Sequence, residues 1–240
     1  MGKALRQQRR GKGGSTFEAK HKGIKASYNS LDEKQRKDKV RAQVLDLVKE
    51  SGRSSILALI GFEDGSTNHV IAAEGISVGQ EIEFGKKAEA NIGNVLPLER
   101  IPEGCPIFNI EEVPGDGGKA VKGTGVYGLI INRDKKGAYV KLPSGKTKQF
   151  KLESRATIGC SACGGRKEKP RIKAGNSFHF MAARSRHYPR LRGVAMNASD
   201  HPFGGAQHHA GKSKSTSRNA PPGRKVGSIA SKRTGRKKKN

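Results

Sequence analysis

Residues 54–73, SSILALIGFEDGSTNHVIAA, contain the clearest structural signal in the chain. A short apolar run, Ser55–Phe62, leads into the turn residues Glu-Asp-Gly-Ser at 63–66, and apolar residues resume over Asn68–Ala73. An Asp-Gly turn between two such runs is a strong signal for a β-hairpin. Residues 81–84 then alternate between glutamate and a large apolar residue, which predicts a further half-buried strand.

A second group of strands is predicted further along the chain. Residues 126–132 (VYGLIIN), 138–142 (AYVKL) and 146–152 (KTKQFKL) are short runs separated by charged or Gly-containing turns, which predicts a three-stranded meander. In the middle run, Ala138, Val140 and Leu142 would face one side, since alternate strand residues share a face. The four prolines between the two groups suit a boundary or edge positions, and we predict two small β-barrel-like domains joined near residue 94.

Residues 31–49 permit two interpretations. The segment Ser30-Leu31-Asp32-Glu33 fits a helix capping box, and valines and leucines recur at helical spacing after it. Asp46 between Leu45 and Leu47 equally permits a strand. The residues alone leave this choice open.

Composition limits the functions that the chain can perform. Only 33% of its 240 residues are hydrophobic, there is no Trp, and 48 basic against 21 acidic residues give a net charge of +27. Such a chain can bury one or two small cores, and its self-repulsion calls for a polyanionic partner. This excludes a typical soluble metabolic enzyme as the first hypothesis.

Targeting signals are not expected. The longest apolar stretch, Ile56–Phe62, is too short to span a bilayer. The N-terminal residues MGKALRQQRRGKGG contain no apolar segment of the kind that a secretory signal needs. Three cysteines, an odd number, favour a reducing cytosol and argue against a disulfide framework.

The charge is concentrated at the two ends. Residues 1–40 carry a net charge of +8 and residues 171–240 carry +16, whereas residues 41–170 carry only +3. The ends have too few apolar residues to collapse alone, and their Gly-rich, acid-poor composition is typical of nucleic-acid-binding arms rather than of a solvated surface. A polynucleotide is the simplest partner, because phosphate neutralisation by Lys and Arg dominates such binding.

Two local patterns suggest other chemistry. Cys160 and Cys163, in CSACGG, have the spacing of half a zinc site, for which Cys105, His179 or His187 would have to supply further ligands. We favour reduced cysteines that pack as small hydrophobic residues, and therefore predict no cofactor, with zinc as the less favoured alternative.

The second pattern lies in the glycine- and histidine-rich stretch at 200–213. Residues 204–213 (GGAQHHAGKS) nearly match a phosphate-binding loop, but Ala206 replaces its first glycine and no strand precedes it. Asp200 and His201, with His208 and His209, could provide a general base or a metal site. Nothing apolar nearby would form a dry pocket, so we favour a loop that approaches nucleic acid closely.

Four further segments of the sequence are distinctive: RGVAMNASDHPFGGAQHH at 192–209, QQRRGKGG at 7–14, IPEGCPIFNIEEVPGDGGK at 101–119 and RATIG at 155–159. These segments, the first above all, resemble one family, the second protein of the large ribosomal subunit. The tail APPGRKVGSIASKRTGR at 220–236 is similar to the archaeal and eukaryotic branch, and the short C-terminus looks archaeal.

The resemblance implies a mainly β fold: an OB-like barrel followed by an SH3-like barrel, with long basic irregular extensions at both ends. The implied organisation is a basic N-terminal arm at 1–36, the OB-like barrel at 37–93, the SH3-like barrel at 94–170 and a Gly-rich C-terminal extension at 171–240. It also favours a strand over 40–49.

The implied function is that of a structural constituent of the large ribosomal subunit, in the cytoplasm. It would bind large-subunit rRNA and support subunit association, tRNA binding and peptide-bond formation, without being an enzyme. The expected partners are rRNA, neighbouring ribosomal proteins and the small subunit through an intersubunit bridge, with no membrane and no small-molecule substrate.

His201 matches a family histidine that has been suggested to assist the catalytic centre, which implies a supporting role near the peptidyl-transferase centre. A second histidine of bacterial members is Phe203 here, and this departure argues against two-histidine chemistry. The CSACGG stretch also departs from the family pattern, so the resemblance lends no support to zinc.

We expect the rRNA contacts to come from both arms, through guanidinium groups that grip phosphate, mobile lysines, and glycines that allow close approach. The predicted RNA-binding residues are Arg9, Arg10, Lys12, Arg184, Arg186, Arg190, Arg192, His201, Gly204, Gly205, Arg224, Lys225, Arg233 and Arg236. Aromatic residues are too scarce for a stacking platform, so recognition should follow the shape and backbone of folded RNA. One alternative is an enzyme, either a metal- or His-dependent hydrolase or an RNA-modifying enzyme. The other alternative is a DNA-compacting protein. Basic residues on both arms favour folded RNA, because a single groove of a DNA duplex would need them on one face.

Overall fold

The hairpin predicted over 55–73 forms one edge of a ten-stranded sheet. Strand β2 (Ile56–Phe62) pairs antiparallel with β3 (Thr67–Ile71), and the turn between them places Gly65 at a φ of 78°. The Asp64 carboxylate accepts a hydrogen bond from the Ser66 N–H at 2.9 Å, which fixes the turn. The Asp-Gly signal therefore identified both strands and their connection.

The computed structural model describes residues 2–18, 23–30, 32–205, 213–233 and 235. Its strands follow the order β3-β2-β1-β4-β5-β10-β6-β7-β8-β9 across the large sheet. The remaining strands of that sheet are β1 (Lys39–Lys49), β4 (Glu81–Gly85), β5 (Val95–Pro97), β6 (Pro106–Phe108), β7 (Gly128–Asp134), β8 (Gly137–Lys141), β9 (Thr147–Phe150) and β10 (Arg155–Ile158). The predicted mainly β fold is confirmed, including the meander formed by β7, β8 and β9.

The segment with two interpretations is divided between a short helix and a long strand. Helix α2 spans Glu33–Lys37, and β1 follows at once. β1 pairs antiparallel with both β2 and β4, with an irregularity in register between Val44 and Asp46. Backbone pairing on both edges outweighs the helical spacing of its valines and leucines, and it confirms the strand over 40–49 that the family resemblance favours.

Two hydrophobic cores lie along this sheet. The first is built on β1 to β4 around Ile60, Ile82 and Phe84, with the rings of Phe62 and Phe84 5.4 Å apart. The second is built on β5 to β10 around Ile107, Ile130 and Val140, which are buried almost completely. The two cores agree with two barrel-like halves, while the residue boundaries given above stay predictions.

The two halves are not independent of each other. A third cluster, which includes Leu57 and Ile71 from the first half and Phe108 from the second, joins their cores. The short stretch at 160–162 also contacts both halves: Cys160 O accepts from Glu74 N at 2.8 Å, and Ser161 O accepts from Gly125 N at 2.9 Å. Residues 21–172 therefore form one compact body, which we call the β unit.

A buried ion pair lies inside the β unit. The side chains of Arg155 and Glu111 are 2% and 0% exposed, and Arg155 Nη2 lies 2.7 Å from Glu111 Oε1. Arg155 also donates to Gln35 Oε1 at 2.8 Å and to Asn29 O at 2.9 Å, and its guanidinium lies 5.2 Å from the ring of Tyr28. This network connects α2 and the segment before it to β10. A buried charge is stable only when it is paired and hydrogen-bonded, and Arg155 meets both conditions.

The second compact body joins the two ends of the chain: residues 1–20 group with 173–240. We call it the basic unit. Its described regular elements are helix α1 (Arg6–Gly11), helix α3 (Ala174–Ala182), a short 3-10 helix (Gly193–Ala195) and the parallel two-residue strands β11 (Ser215–Thr216) and β12 (Ser228–Ile229). Leu5 is the one buried hydrophobic side chain among the residues described in this unit. Across the described ranges, no helix has the length and apolar character needed to cross a membrane.

Candidate nucleic-acid interface

The charge of the chain is divided unequally between the two units. The basic unit carries 22 Lys and Arg against 2 acidic residues, a net of +20, and the β unit carries 26 against 19, a net of +7. The larger share of the excess positive charge therefore lies on the unit with the smaller apolar content. A surface of this kind attracts polyanions and releases their counterions on binding.

Helix α1 presents cations from the N-terminal segment. The Leu5 N–H donates to Gln8 Oε1 at 2.8 Å, which starts the helix, and Leu5 itself is buried. Arg9, Arg10 and Lys12 are exposed at the end of this short helix. Their charged groups are accessible to solvent, and the phosphate contacts predicted for these three residues stay a prediction.

The N-terminal segment contacts the loop that carries His201. Lys3 N–H donates to Ser199 O at 2.7 Å, and Lys3 Nζ lies 3.6 Å from Asp200 Oδ1. Residues 1–36 and 171–240 were predicted as separate arms, and no local pattern indicated that the two ends meet. In the structure, residues 1–20 of the first arm group with residues 173–240 in one compact body.

A second group of arginines follows helix α3. The guanidinium of Arg184 lies 3.8 Å from the centre of the Phe180 ring, and its Nη1 donates to Phe180 O at 3.2 Å. Arg184 is half-buried, whereas Arg186, Arg190 and Arg192 are exposed. The three exposed side chains are accessible to solvent and their phosphate contacts stay a prediction, whereas Arg184 is held by the aromatic ring beside it.

His201 is fixed in the loop by its backbone and its ring. Its N–H donates to Asn197 O at 3.2 Å, and its Nδ1 accepts from the Phe203 N–H at 3.1 Å. The bond at Nδ1 requires the neutral ring to carry its proton on Nε2, and burial lowers the pKa of His201, which favours that neutral ring. Asp200 pairs with Lys3 instead of orienting His201, so a carboxylate–histidine base is not formed here.

Glycines allow this loop to close tightly. A Cβ on Gly193 would lie 2.4 Å from His201 Cε1, and one on Gly204 would lie 2.3 Å from Asn197 O. Gly205, at a φ of 83°, donates its N–H to Met196 O at 3.0 Å. The sequence predicted that Gly204 and Gly205 permit close approach to RNA; the contacts observed are within the loop itself.

The C-terminal part of the basic unit supplies further exposed cations. Arg224 and Lys225 follow a turn in which both N–H groups donate to Pro221 O, at 3.0 and 3.2 Å. Arg233 is also exposed. Arg236 lies outside the described residues, as do His208 and His209, so their predicted roles rest on the sequence.

The cysteines of CSACGG take part in packing. Cys160 and Cys163 are free and half-buried, and burial, together with Glu74, raises the pKa of the Cys160 thiol. A Cβ on Gly125 would lie 2.2 Å from Gly164 Cα, so the glycines after the cysteines allow close contact between two backbone segments. Within the described ranges, no three His, Cys, Asp or Glu side chains are grouped as metal ligands. The glycine at 164 thus has a packing role, and zinc binding at Cys160 and Cys163 stays the less favoured alternative.

Comparison with known proteins identifies the family. Residues 2–84 match the model described as "Ribosomal Proteins L2, RNA binding N-terminal domain", and residues 91–225 match "Ribosomal Proteins L2, C-terminal domain". The chain belongs to the ribosomal protein L2 family. The resemblance seen in the signature at 192–209 is therefore confirmed.

Archaeal members of the family are similar over almost their whole length. The Large ribosomal subunit protein uL2 of Methanocaldococcus jannaschii is 50% identical over 243 residues, which cover 99% of this chain and 100% of that protein. The uL2 proteins of Natronomonas pharaonis and Haloarcula marismortui are each 50% identical, covering 98% of this chain and 97% and 98% of their own lengths. These similarities agree with the archaeal character of the tail.

Proposed function

We propose that the chain is a structural protein of the large ribosomal subunit and binds large-subunit rRNA chiefly through its basic unit. The observation that carries this proposal is the net charge of +20 on a unit in which Leu5 is the one buried hydrophobic side chain among the described residues. A segment of this composition gains little from its own burial, so its order must come from neutralising phosphate. The chain acts in the ribosome, in the cytoplasm, and not as an enzyme.

The proposed contacts are of two kinds. Exposed arginines of the basic unit grip phosphate oxygens through their planar, forked guanidinium groups, and exposed lysines add mobile charge. The His201 loop approaches the RNA backbone through its glycines. These contacts recognise the shape and backbone of folded RNA and carry little base sequence information.

The finer roles are proposals that follow from family membership. The chain would contact neighbouring ribosomal proteins, contribute a bridge to the small subunit, and support tRNA binding and peptide-bond formation. His201 would act near the peptidyl-transferase centre by holding the loop in place, since its Nδ1 is already used by the Phe203 N–H. No substrate molecule, cofactor or membrane enters this proposal.

Sedimentation of the tagged full chain with ribosomal subunits, followed by crosslink mapping to rRNA, tests the proposal. We expect the protein in the large-subunit fraction, with crosslinks from Arg9, Arg190 and Arg224 to large-subunit rRNA. A second arm offers duplex DNA of equal charge as competitor. Failure to sediment with large subunits, or equal displacement by the DNA, would contradict the proposal.

A further inference from the structure

Phe203 contacts two parts of the basic unit that are separate in the sequence. Its ring centre lies 5.1 Å from that of His201, with 60° between the ring planes, and its N–H donates to His201 Nδ1 at 3.1 Å. At the tip of the side chain, Phe203 Cζ would lie only 2.7 Å from a Cβ on Gly227, so the ring rests against the Gly227 backbone. One side chain therefore joins the His201 loop to a segment well beyond it in the chain.

The segment that Phe203 contacts is closed by its own backbone. In residues 214–230, which we call the tail loop, β11 pairs with β12 and the Ser228 N–H donates to Lys214 O at 2.8 Å. Gly227 adopts a φ of 82° beside this closure, where a Cβ would also come within 2.4 Å of Lys214 O. Glycine is required at 227, because any side chain would push against both Lys214 and Phe203.

The tail loop has the cations that the His201 loop lacks. Residues 197–205 contain no Lys or Arg, whereas residues 214–230 contain four and no acidic residue. Arg224 and Lys225, which follow the turn at Pro221, are exposed. The two loops therefore suit the same polyanionic partner, with the phosphate contacts supplied chiefly by the tail loop.

The ring of His201 is confined between two neighbours. A Cβ on Gly193 would lie within 2.7 Å of three His201 ring atoms, Cε1, Nδ1 and Nε2, so the ring packs closely against the Gly193 backbone. Phe203 contacts the same imidazole through its own ring and its N–H. Closely packed groups transmit a displacement to one another. A shift of Phe203 would therefore move His201.

We propose that Phe203 is a positioning residue that makes the His201 loop and the tail loop one RNA-contacting surface. Phosphate contacts at Arg224 and Lys225 fix the tail loop, the Gly227 backbone fixes the Phe203 ring, and Phe203 sets the position of His201. This inference rests on the proposed function. It names the residue through which two contacts with the same RNA depend on each other.

The first experiment is a double-mutant cycle on binding of the full chain to large-subunit rRNA at fixed salt. One change is Phe203→Ala, and the other replaces Arg224 and Lys225 with Gln. Independent sites give fold-changes that multiply. We expect the combined variant to bind at least about threefold more tightly than that product, because either change alone already releases the His201 loop from the tail loop.

Two results would overturn the proposal: fold-changes that simply multiply, or an affinity that Phe203→Ala leaves unchanged. A wild-type chain that does not bind large-subunit rRNA would instead contradict the proposed function. The two failures are thus distinguishable, because the first is seen only among variants and the second is seen without any substitution.

The second experiment disturbs the contact from the side of the tail loop. Gly227→Ala and its control Gly223→Ala have similar backbone strain, at φ values of 82° and 91°, but a Cβ at 223 would meet only the flexible end of Gln8, at 3.4 Å. Amide exchange is measured on both variants within the large subunit. Gly227→Ala should speed exchange of the His201 and Gly205 amides, whereas Gly223→Ala should not. Equal exchange in the two variants would show that the tail loop does not position His201 and would overturn the proposal.

Discussion

The β unit and the basic unit owe their order to different forces. The described part of the β unit pairs ten strands around two hydrophobic cores, and the charge of its buried Arg155 is neutralised by the buried Glu111. The basic unit has a net charge of +20, and its described residues include one buried hydrophobic side chain, Leu5. The comparison teaches that one chain can contain a self-sufficient anchor and a surface completed by its polyanionic partner.

Glu111→Gln should give the largest loss of stability. The change keeps the shape of residue 111 but leaves the Arg155 guanidinium buried without a counter-charge, which costs about 3–5 kcal/mol. Denaturant unfolding of the full chain measures the loss. Glu112→Gln is the matched control, because its pair with Lys148 is 44% and 46% exposed and should contribute under about 1 kcal/mol. Equal losses for the two variants would contradict the internal role of the buried pair.

Removing positive charge from the basic unit should weaken RNA binding more than removing the same charge from the β unit. Replacing Arg9, Arg10, Arg224 and Lys225 with Gln should weaken binding to large-subunit rRNA on the order of a hundredfold and lower the salt slope by roughly 3. The matched variant replaces Lys135, Lys136, Lys141 and Lys146, which are exposed on the β unit. It removes the same charge and should change affinity and slope much less. Filter binding over a range of salt concentrations measures both, and identical slopes would break the distinction between the units.

A glycine substitution tests the close backbone contact within the β unit. Gly125→Ala would place a Cβ 2.2 Å from Gly164 Cα at a φ of 58°, and it should cost about 1–3 kcal/mol through overpacking. Gly123→Ala is the control, since its nearest neighbour, Val126 Cγ2, would lie at an ordinary 3.5 Å. Thermal unfolding measures the stability of both variants. If Gly125→Ala is as stable as the control, the CSACGG stretch does not need this contact.

The smallest expected effect is the loss of stability in the His201 loop as the pH falls. Burial lowers the pKa of His201, so the ring's contribution is full above its ordinary pKa of about 6.5 and falls as the pH drops towards the lowered folded value. Protonation at Nδ1 also removes the acceptor for Phe203 N–H. An imidazole titration by NMR should therefore show a midpoint below the ordinary value. A midpoint at or above it would contradict the loop geometry.

Sequence patterns found most of the strands and few of the long-range contacts. The Asp-Gly turn at 64–65 identified β2 and β3, and the alternation in 138–142 identified β8. Each of these signals is local, because it depends only on residues close together in the sequence. The strand β1 remained open on local grounds, since its partners β2 and β4 decide its conformation. The pair Arg155–Glu111 gave no local signal, because its two residues lie 44 positions apart in the sequence.

The candidate site was predicted by residue type but not by arrangement. The basic residues of both ends were identified from charge, and the structure places the described ones on the basic unit. The contact of Lys3 with Ser199 and Asp200, which brings the two ends together, joins residues almost 200 positions apart and has no local signal. The close contact of Gly125 with Gly164 explains a glycine that follows the cysteines, whereas the expected absence of a metal at Cys160 and Cys163 stays a prediction.

Amide hydrogen exchange of the full chain, free and within the large subunit, measures whether rRNA orders the basic unit. We expect strong protection of β1 to β10 in both states, and protection of the basic unit only when rRNA is present. Equal protection of the basic unit in the free protein and in the subunit would show that it is ordered by its own contacts, and the account would be wrong.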